Sequence, residues 1–284
     1  MEDRTAPFFT IITSTLNVMK TVGRCVQSVA EQTFRDYEHI IVDGASTDGT
    51  VEYLNSKKEL FSVLISEPDT GIYNAWNKAM KQARGEWILF LGADDILAGA
   101  NVLADTASFI AESKADSGIV YGDVMMVSRE SFQDRELKRV LPEYLCTRER
   151  GAVRPVLPCQ SGVFHHKDVI AKYGPFDESY RICADAKLLI AALCLGKEHG
   201  RRIPKTIYRM TVGGVCSAIG TRAAEENIRL VKELGMPLSR IVGKLDIIKA
   251  RLKLQLLQIC GEKNAYKIID YIRILKGKPK VWGP

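Results

Sequence analysis

Glu86-Trp87-Ile88-Leu89-Phe90-Leu91-Gly92-Ala93-Asp94-Asp95 runs from a very apolar stretch, through two small residues, into two adjacent carboxylates. A short apolar run without alternation is the pattern of a strand buried on both faces, as in a parallel sheet covered by helices. Gly92 and Ala93 would let a bulky ligand approach the backbone. Adjacent carboxylates repel each other unless a cation or a turn uses them. Hard cations such as Mg²⁺ and Mn²⁺ want oxygen ligands, and Mg²⁺ typically takes one or two carboxylates plus substrate phosphates. The structural alternative is that Asp94 caps the following turn.

Outward from this stretch the chain alternates. Residues 8–14, 38–42 and 62–66 read as further strands, and residues 17–32, 51–58 and 71–83 as helices between them. This order predicts an α/β fold with a mainly parallel central sheet flanked by helices. After Asp95 the rhythm changes. Residues 102–112, 169–173 and 184–194 read as helices, and 118–126, 160–165 and 206–210 as strands. Residues 128–158 are polar, basic and irregular, which predicts a loop or hairpin.

Ligands of open parallel sheets bind outside the carboxyl ends of the strands. Three strands run into acidic loops there: Asp43-Gly44-Ala45-Ser46-Thr47-Asp48, Glu67-Pro68-Asp69-Thr70-Gly71 and Gly92-Ala93-Asp94-Asp95. Asp and Gly are also common in ordinary turns, so the informative feature is three such loops opening at one edge. No Walker-type phosphate loop is present, and no Gly-x-Gly-x-x-Gly follows the first strand. The phosphates of a nucleotide bound here would need a metal.

The bulk properties allow this. With 284 residues, 46% hydrophobic and 26% charged, the chain can bury a sizeable core. Its +6 charge is uneven: residues 237–284 hold eleven Lys/Arg against three Asp/Glu, a net of +8, leaving −2 for residues 1–236. We therefore expect a body over 1–236 and a basic amphipathic helical tail over 237–284. Seven scattered cysteines without a Cys-x-x-Cys pair indicate neither a zinc site nor a disulfide framework, and predict free thiols in a reducing cytoplasm. No long apolar run follows Met1-Glu2-Asp3-Arg4, so no leader peptide is expected, and the apolar stretch at 188–195 is too short to span a bilayer.

Several motifs together carry a resemblance. Thr10-Ile11-Ile12-Thr13 with Asn17, then Ile41 to Thr50, then Ser66 to Ala79, then Leu89-Phe90-Leu91-Gly92-Ala93-Asp94-Asp95, and finally Phe176-Asp177-Glu178 with Ala184-Asp185, occur in one order. This order resembles family-two glycosyltransferases with the GT-A fold, over roughly residues 8–217. Tyr121-Gly122-Asp123 and Gly213-Gly214-Val215 are similar to bacterial members that build surface polysaccharides or glycolipids. The resemblance implies an inverting, metal-dependent transfer of a sugar from a nucleotide-diphospho-sugar to an acceptor hydroxyl. It implies that Thr13, Asp43 and Asp69 contact the nucleotide, and that Asp94 and Asp95 hold Mn²⁺ or Mg²⁺ and the ribose–diphosphate. It makes Asp185 the general base. Asp185 also interrupts an apolar stretch, where partial burial would raise its pKa and improve it as a base. The alternative is an ordinary helix cap.

Three departures stand out: Asn74 and Gly92 where relatives often carry acidic or amide residues, and Cys159 where a His is common. His165 and His166 are adjacent on a strand, so they point to opposite faces and cannot easily share one ion. In the tail, Leu245, Ile248, Leu252, Leu256 and Ile259 form a helical stripe beside basic residues. Packing on the body is one reading. The other is an interfacial helix on the anionic inner face of the plasma membrane, serving a sugar or lipid-linked sugar acceptor. A nucleic-acid partner is not expected, because the positive charge is confined to the tail. Two rival readings stay open: a nucleotidyltransferase, which would need a Gly- and Arg-rich loop after the first strand, and an inactive sugar-nucleotide-binding relative.

Overall fold

The computed structural model describes residues 6–112, 117–127, 137–139, 146, 154–196, 198–211, 220–236 and 240–275. The chain forms two compact units, Met1–Thr147 with Val156–Val212, and Arg148–Pro155 with Gly213–Pro284. The expected boundary at residue 237 therefore falls inside the second unit.

The first unit is built on a mixed sheet. Strands β1 (Phe9–Thr15), β2 (Tyr37–Asp43), β3 (Val63–Ser66) and β4 (Trp87–Gly92) are parallel in the order β3-β2-β1-β4. The sheet continues through β8 (Val163–His166), antiparallel to β4, to β6 (Ile119–Val127) and β9 (Gly200–Thr211), which are parallel to each other. Two short strands, β5 (Ile96–Leu97) and β7 (Leu137–Arg139), add to β9 and β6 as antiparallel edges. The expected parallel core is thus present, and the strands after Asp95 make the sheet mixed.

Helix α1 (Met19–Ala30) buries Val22, Cys25, Val26 and Val29, a 3.6-period stripe. It covers the face holding Phe9, Ile11, Leu89 and Leu91. Helix α2 (Thr50–Asn55) follows β2, and helix α3 (Ile72–Met80) covers the opposite face, where Trp76 packs on Phe90 at 4.4 Å; helices α4 (Val102–Glu112) and α5 (Lys167–Tyr173) come later in the chain. Strands covered on both faces need no polar alternation, which is why β4 reads as a continuous apolar run. Burying each such Leu, Ile or Phe contributes about 1.5–3 kcal/mol.

Three differences from the sequence expectations have local causes. The expected strand at 160–165 begins with a tight turn, Gln160–Gly162, before β8. The expected helix at 184–194 is α6 (Ala184–Leu189) followed by a wider π turn over Ile190–Leu195. The last strand begins six residues earlier than expected, because Arg201, Arg202, Pro204 and Lys205 mask it in a hydropathy reading. Cys146 is paired with Cys194 in a disulfide, which corrects the expectation of free thiols throughout. The two residues lie 48 apart in sequence, and spacing alone did not reveal their approach. Cys25, Cys159, Cys183 and Cys260 keep their thiols outside any disulfide. No helix among the described residues is long and apolar enough to cross a membrane.

The second unit contains the helices Gly220–Glu233 and Arg240–Leu275, the latter kinked at Gly261 (φ 72°). They pack on each other. Ile248, Leu252, Ile259, Tyr271 and Leu275 are exposed on the longer helix.

Candidate active site

Strand register brings the acidic loops together. Thr15 pairs with Asp43, Asp43 with Ser66, and Ser14 with Gly92. The loops after β2, β3 and β4 therefore all leave at the carboxyl edge of the parallel core, those after β2 and β3 next to each other and that after β4 beyond β1, where open α/β sheets take their ligands.

In the first loop, Asp43 is fully buried. It accepts hydrogen bonds from the Thr15 hydroxyl (2.9 Å), the Ser46 amide (2.8 Å), the Ser46 hydroxyl (2.5 Å) and the Ser66 hydroxyl (3.2 Å). Both oxygens are engaged by the protein, so Asp43 clamps the loop. Asn17 (φ 52°) supports the same loop by accepting the Thr47 amide at 2.9 Å. Thr13 is held differently from Thr15. It lies on the face under α1, fully buried, with its hydroxyl 3.0 Å from His39 Nε2 and 4.0 Å from Cys25 Sγ. Thr15, one pleat further along, occupies the edge.

In the second loop, Asp69 is half-buried. Its Oδ1 accepts the Gly71 amide at 2.9 Å, and its Oδ2 lies over Gly44, where a Cβ would come within 2.5 Å. This contact joins the first and second loops, and a side chain at 44 would displace the Asp69 carboxylate. Gly71 (φ 139°) starts α3 in a conformation that favours glycine. The Arg181 guanidinium lies directly against it.

In the third loop the two carboxylates differ. Asp95 is 6% exposed. Its Oδ2 accepts the Tyr208 hydroxyl (2.9 Å) and its Oδ1 the Thr211 amide (2.7 Å). Burial, then the charge of Asp94, push the Asp95 carboxyl up to about 7. Tyr208 also accepts the Gly92 amide at 2.7 Å, so one phenol ties the tip to β9. A Cβ on Gly92 would lie 2.5 Å from Asp95 Oδ2, so the glycine is needed for that packing. Asp94 is half-buried, and its carbonyl accepts the Thr211 hydroxyl at 2.6 Å and Arg24 Nη2 at 3.4 Å.

These residues fit a divalent cation that shares its coordination with a diphosphate. The two carboxylates are adjacent, and burial with the charge of Asp94 makes a second negative charge on Asp95 costly without a cation. Among the described residues no cluster of three or more His, Cys, Asp or Glu could hold an ion alone. Such a cation would be held by Asp94, Asp95 and phosphate oxygens.

Asp185 sits in the first turn of α6, half-buried, and its Oδ1 accepts the Tyr73 hydroxyl at 2.9 Å. The preceding segment is tied to α3. Glu178 accepts from the Asn74 and Asn77 amides, both at 2.8 Å, and Asn77 exchanges hydrogen bonds with the Phe176 backbone. Lys187 and Ser179 hold the Asp177 carboxyl at about 2 against the opposing effect of burial. Asp185 therefore reaches α3 across more than a hundred residues of sequence. His165 is fully buried, its Nε2 3.0 Å from Gln160, and burial lowers it to about 3. His166 faces outward to Asp168 and Glu86, so the pair does not converge.

Tyr73, Arg24, Arg181, Tyr208 and Thr211 did not stand out in the sequence. Tyr73 lay within a motif quoted above, and the other four carried no local signal.

A sheet of this order with acidic loops at its carboxyl edge defines a GT-A fold. The architecture is similar to that of Staphylococcus aureus TarS, solved with UDP-GlcNAc (TM-score 0.62, 20% identity, covering 91% of this chain and 80% of that one). It is also similar to mannosyltransferase PcManGT of Pyrobaculum calidifontis, solved with GDP-Man and Mn²⁺ (TM-score 0.61, 17% identity, 96% and 81% covered). The family model "Glycosyl transferase family 2" matches residues 10–169. The PGL/p-HBAD biosynthesis glycosyltransferase of Mycobacterium tuberculosis is 38% identical over 188 residues, 63% of this chain and 67% of that protein. The chain belongs to glycosyl transferase family 2 and is a glycosyltransferase.

Proposed function

We propose that this enzyme transfers a sugar from a nucleotide-diphospho-sugar to an acceptor hydroxyl with inversion, in assembly of a bacterial cell-surface polysaccharide or glycolipid. The observation that carries this is the shared edge: Asp69, Asp94 and Asp95 follow strands of the parallel core that end there, and Tyr73 links α3 to Asp185. Asp69 and Arg181 border the nucleotide, and Asp43 holds their loop in shape. Asp94 and Asp95 would hold Mn²⁺ or Mg²⁺, which supplies charge neutralisation for the departing diphosphate. Asp185 takes the proton of the acceptor hydroxyl. The acceptor oxygen bonds to the anomeric carbon from the face opposite the donor phosphate, and the carbon–phosphate-oxygen bond breaks, releasing the nucleoside diphosphate.

The names of the relatives support the acceptor class: one acts in PGL/p-HBAD biosynthesis, and TarS is a poly(ribitol-phosphate) beta-N-acetylglucosaminyltransferase. Exposed Ile248, Leu252 and Ile259 on a basic helix support a peripheral site on an anionic membrane, where a lipid-linked acceptor is found. On full-length protein, Leu252→Glu with Ile259→Glu should release it from vesicles containing anionic lipid. Unchanged binding would exclude that surface.

The central test is a thermal-shift screen of uridine, guanosine and thymidine diphosphate-sugars with and without Mn²⁺, paired with Asp185→Asn. One nucleotide should stabilise the protein only with metal. The variant should keep that shift and lose at least 100-fold in kcat. Wild-type turnover by the variant would remove Asp185 as the base.

A further inference from the structure

Tyr73 is buried at 4% exposure, and its ring is held on several sides. It stacks on Phe176 (5.7 Å, 22°) and meets Trp76 edge-on at 5.4 Å. Trp76 and Phe176 both pack on Phe90, which lies on β4 two residues before Gly92. This aromatic cluster leaves the phenol one direction, and its hydroxyl ends on Asp185 Oδ1 at 2.9 Å. The cluster therefore joins the strand that ends in Asp94-Asp95, the helix that follows Asp69 and the carboxylate assigned as base.

We propose that Tyr73 is a positioning residue, whose hydroxyl aims the Asp185 carboxylate at the acceptor and favours its ionised form. The proposal rests on the reading of Asp185 as the base. A hydrogen bond donated to a carboxylate favours ionisation. Burial, and then the Asp185 charge, push the phenol far above its ordinary range, so it stays a donor wherever the enzyme works.

Charged and titratable neighbours on the surrounding elements have other engagements. Lys187 pairs with Asp177 at 2.7 Å, Glu178 takes Asn74 and Asn77, and Arg181 lies over Gly71. Cys183 lies beside the Tyr73–Asp185 pair.

Tyr73→Phe keeps the ring stack and removes only the hydroxyl. With saturating donor and acceptor, kcat should fall about 10-fold, while the donor KM changes less than about twofold. The acid limb of the kcat profile should move up by about 0.5–1 pH unit as Asp185 loses a donor. The ¹³C carboxyl titration of Asp185 should move the same way, and the thermal midpoint should hold. A lowered kcat with an unmoved acid limb and an unmoved Asp185 titration marks a merely structural role and overturns the proposal. Wild-type kcat in Tyr73→Phe, with Asp185→Asn inactive, overturns the positioning role while the base stands. Turnover by Asp185→Asn overturns the base, and the proposal with it.

Discussion

Replacing Asp95 with Asn should stabilise the metal-free protein at high pH and abolish its response to metal and nucleotide. Asp95 titrates near 7 in the folded chain because it is buried beside Asp94. In the unfolded chain an aspartate titrates near 3.9. Between those values the folded state binds the proton and the unfolded state does not, so stability falls as pH rises through the window and is flat above about 7. At about 1.36 kcal/mol per pH unit the whole effect is at most about 4 kcal/mol, of which roughly 2–3 falls between pH 5 and pH 8.5. Arg24 nearby and relaxation of Asp94 reduce this, so the variant should gain about 1–3 kcal/mol on wild type between those pH values. The amide fits the site: its oxygen still accepts the Thr211 amide, and its NH₂ can donate to the Tyr208 oxygen. Denaturant unfolding with EDTA at both pH values measures the difference. His39 and His165 titrate in the opposite sense, but both proteins carry them and their contribution cancels. With Mn²⁺ and a cognate nucleotide at 100 times Kd, wild type should gain about 2.7 kcal/mol and the variant little. An equal stability difference at pH 5 and pH 8.5 would refute the buried-charge argument.

Three further perturbations probe other parts of the chain. Gly44→Ala places a Cβ 2.5 Å from Asp69 Oδ2 and should weaken donor binding at least about 10-fold by calorimetry, with little change in melting, since the strain falls in an edge loop. Arg202→Met leaves Asp123, 5% exposed and hydrogen-bonded through both oxygens to Arg202, buried without its cation; denaturant titration should show a loss of about 3 kcal/mol. His39 and His165 are lowered to about 3 by burial, so the stability they contribute is present above pH 6.5 and is lost as pH falls toward 3. His165→Gln should flatten that acid slope by about 1.4 kcal/mol per pH unit, as read from unfolding midpoints at a series of pH values.

The parallel core and the site's edge were legible in the sequence because they depend on local pattern. Trp87–Gly92 announces a doubly covered strand through continuous apolarity, and Asp43, Asp69 and Asp94 follow their strands directly, so topology alone brings their loops to one side. The motif order indicated the family for the same reason: each motif is a strand end and the turn behind it. What the sequence could not rank was which carboxylates face outward. Asp43 and Asp69 look alike in sequence, yet Thr15, Ser46 and Ser66 close over one and leave the other over Gly44. Thr13 and Thr15 differ by one pleat and are both buried, yet Thr13 meets His39 under α1 while Thr15 meets Asp43 at the strand end. The state of Asp95 depends on Tyr208 and Thr211, and that of Asp185 on Tyr73, partners more than a hundred residues away. Periodicity and turn chemistry act over a few residues, whereas desolvation and hydrogen bonding act over a few ångströms, so the tertiary structure alone decided how each carboxylate is held.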